Sequence, residues 1–212
     1  MNTRLRQASL IVAAFVALLW LIEILDRTLG LELYRFGVFP ANLHGLWGIL
    51  FAPLIHGSWT HLGSNRFALL ILGSALLYGY PRAARPALLF IYLLSGIGVW
   101  LFARQSYHFG ASGLTHGMMF FIFTTGILRG DRLSIALSLI VFFLYGGMVW
   151  TIFPQEAGIS YESHFFGAAA GVVAAFLFRD RDPLPPVKTY EWEGEQDADA
   201  DADPASRPEE DQ

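Results

Sequence analysis

The side chains able to do chemistry in this chain are few and fall in three places. Ser112 lies in Gly110-Ala111-Ser112-Gly113, with His116 four residues on. His164 heads a stripe of small residues in which Gly167 and Gly171 stand at i+3 and i+7. His56, His61 and Asn65 form the third group, and His61 and Asn65, four apart, share one face of a helix. Cysteine is absent. That excludes disulfides, thiolate metal sites and a cysteine nucleophile, and leaves the chemistry to Ser, His, Asn and carboxylates.

Each group has a plain reading beside a chemical one. A serine in the first turn of a helix can cap the backbone. Between glycines that permit tight turns, it can equally be a nucleophile with free N–H groups beside it to stabilise an oxyanion. His164 is either a hydrogen-bonded packing residue or a general base. The Gly167/Gly171 spacing lets helix backbones approach closely, and Gly113 and Gly117 repeat that spacing, so packing of these two segments would bring the imidazole beside Ser112. His61 and Asn65 can bond between helices or donate to an oxyanion. His56, His61, His116 and His164 are all metal-ligand types. No acidic residue accompanies them in the apolar runs and no His-Glu-x-x-His occurs, so no metal is expected.

The elements that must position these residues are apolar and long. The 212 residues are 54% hydrophobic and 15% charged, where a soluble domain has about a quarter charged. Six runs have the size that a bilayer requires: 8–25, 60–80, 87–103, 111–128, 133–153 and 163–178. The expected fold is therefore all-α, a polytopic membrane protein with six transmembrane helices. Pro53 and Gly57 separate the apolar stretch 46–55 from the second span, leaving it as a membrane-level first loop that protein must shelter. His56, His61 and Asn65 sit around the start of span two, Ser112 and His116 at the start of span four, and His164 at the start of span six. Alternate spans run in the same direction, so these starts lie at similar depth near one face and can converge on one cavity.

The net charge of −4 conceals two parts: residues 1–190 balance at +5 and residues 191–212 at −9. Arg4, Arg6, Arg82, Arg85, Arg129, Arg132, Arg179, Arg181 and Lys188 all fall on one side of a six-span topology. By the positive-inside rule both termini are cytoplasmic. The basic start followed by an apolar run lacks a small-residue cleavage site and reads as a retained signal anchor. Residues 1–183 are thus expected to form the membrane domain. Residues 184–212, with their Asp-Ala alternation, are expected to be a disordered acidic cytoplasmic tail.

Taken together, His56-x4-His61-x3-Asn65, Gly110-x-Ser112-Gly113, and His164 followed by Gly167 and Gly171 resemble the rhomboid family of intramembrane serine proteases over about residues 10–179. The resemblance implies a rhomboid-like bundle with a Ser-His dyad, Ser112 as nucleophile and His164 as base and then acid. It matches His61 and Asn65, with the Ser112 N–H, to oxyanion-stabilising positions, and leaves His56, His116, Gly110 and Gly113 as active-site support. Two positions depart from the family pattern. Trp47 is followed by Gly48 where the family often has arginine, which bears on the stability of the first loop. His116 stands where many members have a tyrosine packed on the base, so the dyad's orientation is expected to be altered rather than abolished.

The implied activity is hydrolysis of a peptide bond within or near a transmembrane helix. The expected partners are transmembrane protein substrates and the lipid bilayer, with no cofactor and no nucleic acid, in a bacterial cytoplasmic membrane. The competing expectation is a rhomboid-like protein that binds transmembrane clients without cleaving them. Deleting the chain from Glu191 onward should leave activity in detergent unchanged; a large loss in a cleavage assay would show that the tail docks on the body.

Overall fold

Caps and glycines delimit the helices. The computed structural model describes residues 2–154 and 158–184; the expected acidic tail beyond Leu184 lies outside the described residues. Helix α1 (Thr3–Leu29) starts on the Asn2 side chain, which accepts from the Arg4 N–H, and stops at Gly30 in the left-handed conformation. A short helix α2 (Gly48–Phe51) lies between two 3-10 turns, His44–Trp47 and Ala52–Leu54. Ser58 caps α3 (Trp59–Gly79) by accepting from the His61 N–H. After α4 (Ala84–Phe102) and α5 (Ser112–Arg129), Asp131 caps α6 (Arg132–Tyr145). Ser160 caps α7 (Tyr161–Phe178).

Five of these elements are long and apolar enough to cross a membrane: α1, α3, α4, α6 with its extension to Ile152, and α7. The chain is an all-α polytopic membrane protein. Helix α5 has 18 residues but is diluted by Ser112, Thr115, His116, Thr124, Thr125 and three glycines. Its place explains that composition, since it packs against α3, α4, α6 and α7 and buries ten of its residues. The apolar core forms around it from Leu69, Leu72, Ile91, Met119, Phe121 and Ile122. Helix α1 lies against α3 through Val12, Val16 and Leu19. Outward faces carry Phe102, Ile127, Phe143 and Trp150, all largely exposed, as a lipid-facing surface requires and a soluble one avoids.

Two segments differ from their expected form. The first loop is helical rather than irregular, so it satisfies most of its own backbone groups at membrane depth. The fifth apolar run ends as an α-helix at Tyr145 and continues as a 3-10 segment, Gly146–Ile152. Its paired glycines carry the highest helix cost of any residue but proline.

The ends of α3, α5 and α7 are tied at the face opposite the candidate residues. The Asp182 carboxylate accepts from the Arg82 and Ala83 N–H groups, at 2.9 Å each, at the amino end of α4. A carboxylate there also meets the positive end of the helix dipole. Arg129 donates to the Arg179 and Asp182 carbonyls at 2.6 and 2.7 Å and pairs with Asp131 at 2.9 Å.

The tightest packing is between α5 and α7. A Cβ at Gly167 would strike the Gly113 backbone, and one at Gly171 would strike the Gly117 backbone. A Cβ at Gly117 would in turn lie 3.0 Å from the Gly167 carbonyl. Gly171→Ala should therefore destabilise the protein by about 1–3 kcal/mol. Gly63→Ala, on a face of α3 with open space around it, should stabilise by up to about 1 kcal/mol. Thermal unfolding of both variants in one detergent checks the opposite signs.

Candidate active site

The glycine seam sets α5 and α7 together, and at one end of it the first residues of both helices open on one cavity of about 700 Å³. Ser112, His116 and His164 line it, together with His61 and Asn65 from the start of α3. Of the sequence-derived residues, these five share the cavity. His56, Gly110, Gly113, Gly167 and Gly171 stand behind it.

The approach to Ser112 is built by Gly110, whose φ of +117° belongs to the region that favours glycine. Its N–H donates to the Ala52 carbonyl at 2.8 Å, fastening the turn to the first loop. Ser112 is the first helical residue, and Ala111, the cap, has no side chain to accept with. Capping therefore does not account for this serine. The N–H groups of the first turn lack an intrahelical carbonyl and lie at the positive end of the α5 dipole.

His164 is buried, and its Nδ1 lies 2.9 Å from the Thr151 carbonyl. A carbonyl only accepts, so Nδ1 carries the proton and Nε2 keeps a lone pair. Among the described residues Ser112 Oγ and His164 share no hydrogen bond. His116 stacks flat on His164, with ring centroids 4.0 Å apart and planes 10° apart. Its Nδ1 donates to the Ser112 carbonyl at 2.7 Å, and its Nε2 lies 2.8 Å from Thr151 Oγ1.

On the facing wall, the Asn65 amide donates to the His61 carbonyl at 3.1 Å and retains a second N–H. The His61 ring lies over Gly110, where a Cβ would come within 2.8 Å of Nε2. His56 packs edge-on against His61 with centroids 5.1 Å apart, and its Nε2 accepts from the Ala111 N–H at 3.5 Å. His56 thus holds the residue before Ser112. Among the described residues no group of three or more His, Cys, Asp or Glu side chains is placed to hold a metal ion.

Two supports escaped sequence reasoning. His108 donates from Nε2 to the Arg104 carbonyl at 2.9 Å, so its Nδ1 accepts from Ser160 Oγ at 2.6 Å. Having given its proton, Ser160 accepts from Ser163 at 2.7 Å. This chain of donors anchors the turn into α7 directly before His164. His108 also bridges to Val38 of the first loop, and nothing local in its sequence signals either contact. Thr151 was hidden in an apolar run, where the Gly146-Gly147 pair five residues earlier marks the helix end that places it.

Gly48 has a local reason. A Cβ there would strike the backbone of Gly37 and Val38, so the position admits no arginine. Other bonds hold the loop: Trp100 Nε1 donates to the Asn42 carbonyl at 2.9 Å, the Ala41 N–H donates to the Trp100 carbonyl at 2.9 Å, and the Tyr92 hydroxyl donates to the Leu50 carbonyl.

Comparison with known proteins gives a family match, Rhomboid domain, over residues 43–181. An uncharacterized protein of Mycobacterium tuberculosis is 39% identical over 176 residues, covering 78% of this chain and 73% of the relative. An uncharacterized protein of Mycobacterium leprae is 32% identical over 188 residues, covering 83% of this chain and 74% of the relative.

His56 lies before α3, and burial, followed by repulsion from His61, pushes its pKa down to about 3. Below the ordinary value of 6.5 the unfolded chain takes up a proton that the folded one refuses, so stability falls as pH drops from about 6.5 toward 3. Thermal midpoints measured between pH 7 and 4 should therefore fall less steeply for His56→Gln than for the wild type. Equal slopes would show that His56 does not carry this dependence.

Proposed function

The chain belongs to the rhomboid family, and from that premise we propose that it is an intramembrane serine endopeptidase acting through Ser112 and His164. The observation that supports this reading is the cavity lined both by a first-turn serine that is not the helix cap and by a buried imidazole whose Nδ1 proton is committed to the Thr151 carbonyl. The remaining Nε2 lone pair is the atom a general base uses.

In the reaction, His164 Nε2 takes the Ser112 proton as Oγ attacks the scissile carbonyl. General-base action of this kind is worth about 10²- to 10⁴-fold. The oxyanion falls to the Ser112 N–H, His61 and Asn65, where loss of one donor costs about 2.7–4 kcal/mol. His164 then protonates the leaving amine, and water releases the acyl group from Ser112. No cofactor enters these steps. A helical substrate hides its carbonyls in its own hydrogen bonds, so the substrates are membrane proteins whose spans unravel near the outer surface. In this reading α5 makes a sixth crossing, both termini face the cytoplasm, and the mycobacterial relatives favour a bacterial cytoplasmic membrane.

One observation favours a second reading, binding of transmembrane clients without cleavage: Ser112 Oγ has no hydrogen bond to His164 among the described residues. Catalytic hydrogen bonds in ligand-free sites are often long and tighten with substrate, which favours the protease. A fluorophosphonate probe separates the two. It should label the purified wild type and not Ser112→Ala, and cleavage of a model transmembrane substrate should be lost in Ser112→Ala. A Ser112→Ala protein that still cleaved would overturn the assignment.

A further inference from the structure

Thr151, in the 3-10 segment that extends α6, touches both stacked histidines. Its carbonyl lies 2.9 Å from His164 Nδ1, and its Oγ1 lies 2.8 Å from His116 Nε2 and 2.8 Å from the Met148 carbonyl. Counting protons orders the cluster. The Ser112 and Thr151 carbonyls can only accept, so both rings carry a proton at Nδ1. The neutral His116 ring then presents a lone pair at Nε2, and the Thr151 hydroxyl is the donor within reach. That hydroxyl has one proton and two acceptors, so a neutral His116 turns it away from the Met148 carbonyl.

Among the described residues the place that an acid holds behind the base of a triad is taken by the Thr151 carbonyl and not by a carboxylate. Glu162, two residues before His164, is engaged by Arg104 at 3.6 Å. We propose that Thr151 is a positioning residue, its carbonyl and hydroxyl together fixing the tautomer and plane of His164 and His116 so that His164 Nε2 serves Ser112. The inference rests on the protease reading above. Its physical content is a division of labour. The carbonyl orients the base, while the hydroxyl keeps the stacked ring neutral, so that the imidazolium formed on His164 during attack faces a π surface rather than a like charge.

The hydroxyl can be removed without altering shape. For cleavage of a model transmembrane substrate in detergent, Thr151→Val should lower kcat about 10-fold, with KM and the thermal midpoint unchanged. Thr151→Ser should restore kcat. A Thr151→Val protein with wild-type kcat, or a Thr151→Ser protein as slow as Thr151→Val, overturns the proposal. If Thr151→Val alone does not fold, the change is made in His116→Phe, which keeps a stacked ring without a lone pair. There it should cost nothing further in kcat, and a full additional loss overturns the proposal. The fluorophosphonate probe keeps the two claims apart. A wild type that neither labels nor cleaves refutes the protease reading. A wild type that labels and cleaves, beside an unimpaired Thr151→Val, refutes only the role of Thr151.

Discussion

Contact between the backbones of α5 and α7 is the constraint on which the rest of the structure depends. Gly167 and Gly171 lie so close to Gly113 and Gly117 that a Cβ on either would strike the facing backbone and force the helices apart, while one at Gly113 or Gly117 would press to 3.0 Å on the Ser163 or Gly167 carbonyl. Apolar driving force is weak between helices in lipid, and close van der Waals packing with Cα–H···O contacts takes its place. The seam also fixes the geometry of the candidate site. Ser112 precedes Gly113 by one residue and His164 precedes Gly167 by three, so the distance between the two side chains is set by main chain, which has little freedom to adjust.

Around that seam the structure spends its polar groups on orientation. Imidazole Nδ1 atoms meet carbonyls at His116 and His164, and the donor order from Ser163 through Ser160 to His108 ends on the Arg104 carbonyl. Each chain has a single consistent direction of donation, because carbonyls at the ends cannot donate. Polar groups in a low-dielectric interior are costly when unpaired, and here that cost acts against alternative tautomers. The first loop joins the same arrangement through the Gly110 N–H on Ala52 and the bridge between Val38 and His108.

Apolar run length located the long helices to within a few residues at most of their ends. The expected second span, 60–80, is Trp59–Gly79 in the structure, and the fourth, 111–128, is Ser112–Arg129. Hydrophobicity alone did not separate α6 from its 3-10 extension, because Gly146–Ile152 carries no charged residue and simply continues the apolar run. The polar composition of α5 was legible as a cavity wall, since Ser, Thr and His in a long apolar run need protein or water beside them. Thr151 and His108 were not, because the contacts that tie them to the site, Thr151 to His164 and His116 and His108 to Ser160, span 13 to 52 residues and no local pattern records them. The Ser112 cap reading failed for a one-residue reason: the cap position falls on Ala111. The meaning of Gly48 was likewise invisible without the neighbouring backbone of Gly37 and Val38.

The clamp of Asp182 and Arg129 has a mechanical meaning. Asp182 lies just after α7 and grips the turn between α3 and α4 with both carboxylate oxygens, while Arg129 holds the last carbonyls of the same segment to α5. Tension applied to the chain past residue 184 is therefore borne by three helix ends at once. It does not travel along α7 as a single rod to His164, and the imidazole at the far end is insulated from pulling forces on that side.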